Sequence, residues 1–463
     1  MNEDPYRRLV RADLAPMLEH VPKGPEWEAL DVAQLLLSSA SESRSLPGWV
    51  VAVGSAAAVL AVVGLSIGIL RATSLDTQSG TVAPSDVAQT TAAVVSTTTL
   101  NRAPAGWTLL PEWPLTARDG HSVVWTGREV VVWGGNVGGD STDPYANPFA
   151  NGGAAYNPAQ RSWKTIAVAP IGGRLWHSAV WTGEEILIWG GFGDDEVTDA
   201  AAYDPATDSW RSVAASPIAP RWWGHSTTWT GTEMIIWGRR PINSDEPTGV
   251  AYTPRTDTWR DLPEAPIASR DWHSAVWTGD ELIIWGGERS TSNGESVEYM
   301  NDGAAFNPIS GTWRQLAPSP LAGRWQHTAV WTGEVMIIWG GAASDGTGDA
   351  LADGAVYDPA TDSWFPLPPG PLVARGGHTA FWTDQGMLIW GGEVRTSGSS
   401  WAQFADGAIF DPTSASWTPI VPASVTGTRD ATPSVWTGDQ LIYWGRGDDF
   451  EVTGGESLSL GAP

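Results

Sequence analysis

From about residue 97 to the end, the chain is written in short apolar runs of four or five residues, each closed by a tight turn. The segment His177-Ser178-Ala179-Val180-Trp181 reads as a strand that passes through Thr182-Gly183 into Ile186-Leu187-Ile188-Trp189. A third run, Ala200 to Tyr203, turns through Asp204-Pro205-Ala206-Thr207-Asp208 into a fourth strand at Trp210. Proline, glycine, aspartate and asparagine between β-branched and aromatic runs are hairpin punctuation. We label these strands A to D. Strand B is apolar on both faces, which a sheet covered on both sides requires.

The four-strand unit recurs. Trp-Thr-Gly appears with its tryptophan at 125, 181, 229, 277, 331 and 436, and Trp382-Thr383-Asp384 fills the sixth place, giving a mean spacing of about 52 residues. Eight residues after each stands a second tryptophan, at 133, 189, 237, 285, 339, 390 and 444. In six units a Tyr or Phe (Tyr156, Tyr203, Tyr252, Phe306, Tyr357, Phe410) precedes a third tryptophan by seven residues, at 163, 210, 259, 313, 364 and 417. Trp107 extends that last column, so three columns account for 21 of the 30 tryptophans. Large rings at fixed intervals suit the wedge between radially stacked sheets, and the pattern predicts an all-β, seven-bladed propeller of four-stranded blades. The seventh unit lacks strands C and D, while Trp107 is a D strand without an A or B. Closure between the two ends repairs both. Val95 to Asn101 is the preferred strand C, because Leu100 stands seven before Trp107, and Ser457 to Leu460 is the alternative.

The unit Arg-x-x-His-Ser-Ala-Val, Gly-Gly, Tyr-Asp-Pro, Asp-Ser-Trp resembles the kelch repeat, over residues 97–463. That resemblance implies the propeller fold but leaves the activity open, because kelch propellers of the galactose oxidase-like superfamily include binding modules and enzymes. The copper centre known in that superfamily needs a tyrosine cross-linked to cysteine, and this chain has no cysteine. No cofactor is expected.

Ahead of the repeats the pattern changes. Gly48 to Leu70 is 23 residues without a charge, long enough to cross a bilayer core as a helix. Arg7, Arg8, Arg11, Lys23 and Arg44 precede it, whereas Arg71 alone follows before Arg102, which predicts a cytoplasmic N-terminus and an extracytoplasmic propeller. The expected organisation is a partly helical cytoplasmic tail (1–47) with room for a cytoplasmic partner, a single transmembrane helix (48–70), a Ser/Thr/Ala-rich stalk (71–96) and the propeller (97–463). The location is thus a cell membrane, with one pass. With 52 acidic against 26 basic residues, nucleic acid is an unsuitable partner.

Topology also locates the variable surface. The A–B and C–D turns share one face and are short, while the B–C and D–A connections share the other. From the strand-B tryptophan to the Tyr/Phe column the chain takes 23, 14, 15, 21, 18 and 20 residues in successive units. Length variation on a rigid frame is where binding resides. The D–A connections on that face carry Arg118 and Asp119, Arg174 and Trp176, Arg221 and Trp222, Arg270, Asp271 and Trp272, Arg324 and Trp325, Arg375, and Arg429 and Asp430. As ligand-binding candidates they suggest an anionic, sugar-like or acidic-peptide ligand. As structure, a recurring arginine ties loops together through carbonyls and carboxylates. The tryptophans break the repetition and are the stronger candidates. Six histidines (121, 177, 225, 273, 327, 378) share one column at the start of strand A and are expected to be structural hydrogen-bonders, not metal ligands. The acidic runs Asp194-Asp195-Glu196 and Asp140 to Asp143 match no calcium loop, and no catalytic motif is found. These observations favour a membrane-anchored propeller that binds an extracellular protein, peptide or glycan on the B–C/D–A face. The alternative is an enzyme acting on carbohydrate-like substrates at the channel mouth.

Overall fold

The computed structural model describes residues 106–460, apart from 117, 138–147, 194–196, 198, 219–223, 239–248, 291–296, 345–347, 398–399, 424–433 and 447–451. The expected tail, span and stalk lie outside the described residues. Among the described residues no helix is long and apolar enough to cross a membrane.

Seven four-stranded antiparallel sheets are present. Blades 1 to 6 run from strand A to strand D within Ser122–Thr165, Ser178–Ser212, Ser226–Asp261, Ser274–Gln315, Thr328–Pro366 and Thr379–Ile420. Blade 7 takes strands A (Ser434–Trp436), B (Gln440–Arg446) and C (Val452–Ser459) from the C-terminal part of the chain, and its outer strand is Trp107–Leu109. The propeller is closed. The preferred strand C, Val95 to Asn101, is corrected: Val452–Ser459 fills the place between Trp107–Leu109 and strand B, with Leu458 opposite Trp107 and Leu441.

That choice has a steric reason. Each strand C begins opposite the strand-B tryptophan at a very small residue, as at Gly153, Ala200, Gly249, Gly303, Gly354 and Gly407, and Gly455 continues this column. A Cβ on Gly455 would lie 2.7 Å from Trp444 Cδ1. Residues 97–101 offer Thr97 there instead.

The strand-B tryptophans are buried to 2% exposure or less and pack the interfaces between blades. The third column locks those interfaces by a directional bond. Its indole Nε1–H donates to a loop carbonyl of the preceding blade in all seven places, from Trp210 to Ala167 O (2.8 Å) round to Trp107 on Val421 O (2.8 Å) and Trp163 on Pro111 O (3.4 Å). The remaining four are Trp259, Trp313, Trp364 and Trp417. A buried indole N–H needs an acceptor, so this bond sets blade register as well as adding packed area.

Candidate functional site

The B–C/D–A face is a built rim. The D–A segments pair with the B–C loop of their own blade through short antiparallel bridges: Asp119 with Asn136, Leu175 with Phe192, Asp271 with Glu288, Trp325 with Ala342 and Gly376 with Glu393. Two of the long B–C loops contain hairpins, Glu288–Ser290 with Val297–Tyr299 in blade 4 and Glu393–Ser397 with Ser400–Gln403 in blade 6. Backbone pairing therefore holds the candidate side chains in place.

The arginines sit beneath this rim, not on it. Arg174, Arg270, Arg324 and Arg375 are at most 2% exposed. Each donates to the first glycine carbonyl of its own Gly-Gly pair, at Gly190, Gly286, Gly340 and Gly391. Each also binds the aspartate just before strand C: Asp199, Asp302 (2.6 Å), Asp353 (2.8 Å) and Asp406 (2.7 Å). In blade 1 Arg118 makes the same glycine contact, to Gly134 O, but meets Gly152 O where the others meet aspartate. Burial without a carboxylate partner lowers the Arg118 pKa to about 10. The fork geometry of guanidinium suits this carbonyl-plus-carboxylate clamp. Each clamp buries its cation and leaves its anion in water, the aspartate side chains being 37–57% exposed.

The histidines fasten neighbouring blades. His177, His225, His273, His327 and His378 place Nε2 2.6–3.0 Å from the hydroxyl of Ser122, Ser178, Ser226, Ser274 and Thr328 in the blade before. Their rings meet the preceding strand-B tryptophan edge-on, as His177 does Trp133 at 4.9 Å. A Cβ on Gly134 would lie 2.6 Å from His177 Cε1, so the double glycine is what admits the histidine. His121 differs: among the described residues neither of its ring nitrogens has a hydrogen-bond partner. Its preceding blade has Pro433 in the sequence position of the hydroxyl. Desolvation, aided by the adjacent arginines, depresses His121, His177, His327 and His378 to about 3, so they are neutral at physiological pH. Among the described residues no group of three or more His, Asp or Glu could hold a metal ion.

One residue before each histidine the backbone is left-handed. Blades 1, 3 and 6 use glycine there, Gly120, Gly224 and Gly377, with φ of 62–80°. Blades 2, 4 and 5 place Trp176 (φ 54°), Trp272 (φ 56°) and Gln326 (φ 52°) in the same conformation. For a bulky residue that costs on the order of 1–2 kcal/mol, and such strain collects at functional positions. Trp272 meets Trp325 edge-on at 6.2 Å, and Trp325 faces Tyr299 of the blade 4 hairpin at 6.4 Å. Trp325 and Gln326 also line a small cavity with Glu393, Arg395 and Trp401.

The structure therefore brings Trp272 and Trp325 together, places Trp176 on the same rim and buries Arg174, Arg270, Arg324 and Arg375 behind it. Asp119 is exposed and Asp271 half-buried. Arg221, Trp222, Arg429 and Asp430 lie outside the described residues, as do the acidic runs 140–143 and 194–196. Sequence reasoning missed Gln326, Tyr299 and Trp401. It also missed the aspartates of the clamps, although their recurrence immediately before strand C was a readable signal.

A sequence profile of the KLHDC2/KLHL20/DRC7 Kelch-repeats domain matches residues 120–321 and 272–454. The chain belongs to this kelch-repeat family. Similar proteins include Kelch-like protein terF of Aspergillus terreus, 37% identical over 89 residues, covering 19% of each chain. Human Kelch domain-containing protein 3 is 27% identical over 184 residues, 35% of this chain and 47% of its own. An Arabidopsis thaliana F-box/kelch-repeat protein, At1g22040, is 25% identical over 181 residues, 33% of this chain and 38% of its own. The chain thus spans less than half the length of these relatives. In this chain the Gly-Gly pair and the arginine clamp recur together as parts of one frame. The left-handed tryptophans are departures from this chain's own repeat.

Proposed function

We propose that this kelch propeller is a protein-interaction module that takes its ligand on the B–C/D–A face and is held at a membrane by residues 48–70. The observation that carries the reading is Trp176 and Trp272, held in a backbone conformation that three other blades reserve for glycine. Large rings kept there against a local cost are best accounted for by contact with a partner, because the frame itself is complete with glycine. The described chain enters the propeller at Trp107, whose partner Leu458 lies opposite Leu441 at the tight-turn end of the sheet.

Ligand capture by the full chain on peptide and glycan arrays tests the binding face. Capture should be lost in Trp176→Ala with Trp272→Ala while the thermal transition is kept; unchanged capture would remove the face from consideration. For the membrane, protease added to intact cells should shave the propeller, and a fully protected propeller would overturn the outward orientation.

A further inference from the structure

The four buried clamps decide which end of each ion pair faces a ligand. Seven arginines in the D–A connections read, in sequence, as a funnel for anions. In the structure the four fully buried ones are held by glycine carbonyls and by Asp199, Asp302, Asp353 and Asp406. Each pair sums to zero, but its two ends are unequally placed. The guanidinium side chains are 0–1% exposed, whereas the carboxylate side chains are 37–57% exposed. Water, and any ligand, meets the anion first. Asp119 adds an exposed carboxylate to the same rim, and Asp271 stands next to Trp272. On the same face the Trp272, Trp325 and Tyr299 rings form a cluster of electron-rich π-systems. Aromatic rings and outward carboxylates on one face recognise a cation by cation–π attraction and charge complementarity together. A neutral oligosaccharide would use the rings and donate hydroxyl hydrogen bonds to the carboxylates, but it gains no charge attraction from them, and an acidic peptide is repelled by them.

Resting on the binding-face reading above, we infer that the ligand is a basic segment of a partner protein, engaged by a lysine or arginine side chain over Trp272 and Trp325. This reverses the acidic-peptide preference that the arginine column suggests in sequence.

The test pans a random peptide library on phage against the full chain and subtracts peptides still captured by the variant Trp272→Gly with Trp325→Leu. Both replacements are residues that another blade carries at the same place, Gly120 or Gly224 for the first and Leu175 for the second, so the frame is preserved. Unchanged thermal unfolding of the variant verifies that. The expected result is that the rim-dependent peptides are enriched in Lys and Arg. A chosen winner, followed by fluorescence anisotropy, should bind the variant about tenfold more weakly and weaken steadily with added salt. Rim-dependent peptides enriched in Asp and Glu, or carrying no charge, would overturn the basic-segment inference while leaving the binding face standing. If no captured peptide depends on the rim, the inference and the binding face both fall.

Discussion

At the residue scale, the same side chain type means different things according to which end of it meets water. Arg324 looks in sequence like a rim cation, yet it donates to Ala322 O, Gly340 O and both carboxylate oxygens of Asp353. Lysine keeps the charge but cannot reproduce a planar fork that reaches these four oxygens from three nitrogens. Arg324→Lys should therefore destabilise the propeller by about 2–3 kcal/mol, from several buried carbonyls losing their donor. Calorimetry decides the point, since a ligand-contacting arginine would instead leave the unfolding transition unmoved. The histidines give a pH signature of their own. His177, His327 and His378 accept protons near 6.5 in an unfolded chain but only near 3 in the fold. Their contribution is complete above pH 6.5 and is lost progressively as pH falls toward 3. Asp208, Asp257 and Asp362, whose backbone and tyrosine hydrogen bonds hold them below the usual carboxylate value, add to acid sensitivity only below about pH 4. The melting temperature should thus fall between pH 6.5 and 5.5, above the range in which the carboxylates titrate. His327→Gln should flatten that slope, and a flat wild-type profile across the window would contradict neutral, buried histidines.

At the element scale, the C–D hairpin shows one contact rewritten from blade to blade. Tyr203, Tyr252 and Tyr357 each donate a phenolic hydrogen bond of 2.7 Å to Asp208, Asp257 and Asp362, five residues on. Those aspartates also accept the backbone N–H of Ala167, Ala214 and Ala317 in the preceding blade, from a left-handed position with φ of 49–51°. Where the ring is Phe306 or Phe410, without a hydroxyl, the turn carries Gly311 or Ala415 instead. Ring and turn residue change together in blades 2 to 6, and blade 1 departs from this with Tyr156 and Arg161. Tyr357→Phe and Asp362→Gly, measured singly and together by denaturant unfolding, should be non-additive by about 1 kcal/mol; additive costs would separate the two positions. The hairpins themselves were legible, because turn chemistry and tryptophan spacing are local. Strand B at Ile186–Trp189 lies where its apolar run placed it. The rim was legible only as to its face. Which of its residues meet depends on the course of loops with no shared length, and the hairpins that bring Tyr299 and Trp401 into it leave no period to read.

At the scale of the whole molecule, closure governs. Blade 7 is joined by three outer residues, Trp107–Leu109, pairing with Val452–Ser459, and Trp107 is anchored by its 4.6 Å contact with Trp390 and its bond to Val421 O. The number of blades was readable from the repeat, but the strand that closes them was misassigned on the spacing of Leu100 alone. The deciding constraint is steric, a glycine facing Trp444, and Leu458, not Leu100, is the seventh member of the Tyr/Phe column. This can be tested by reconnection. In blade 2, Tyr203 opposes Trp210 across Asp-Pro-Ala-Thr-Asp-Ser. Leu458 opposes Trp107 in the same register, so the same six residues should join them as an ordinary C–D turn. A permutant that makes this join and opens the chain between blades 6 and 7, within 424–433, should fold to the same propeller. A permutant that fails to fold with this six-residue join, while the same permutant joined by a long flexible linker does fold, would mean that Val452–Ser459 does not lie beside Trp107. The orientation of the rim relative to the point where the chain enters the propeller would then have to be redrawn.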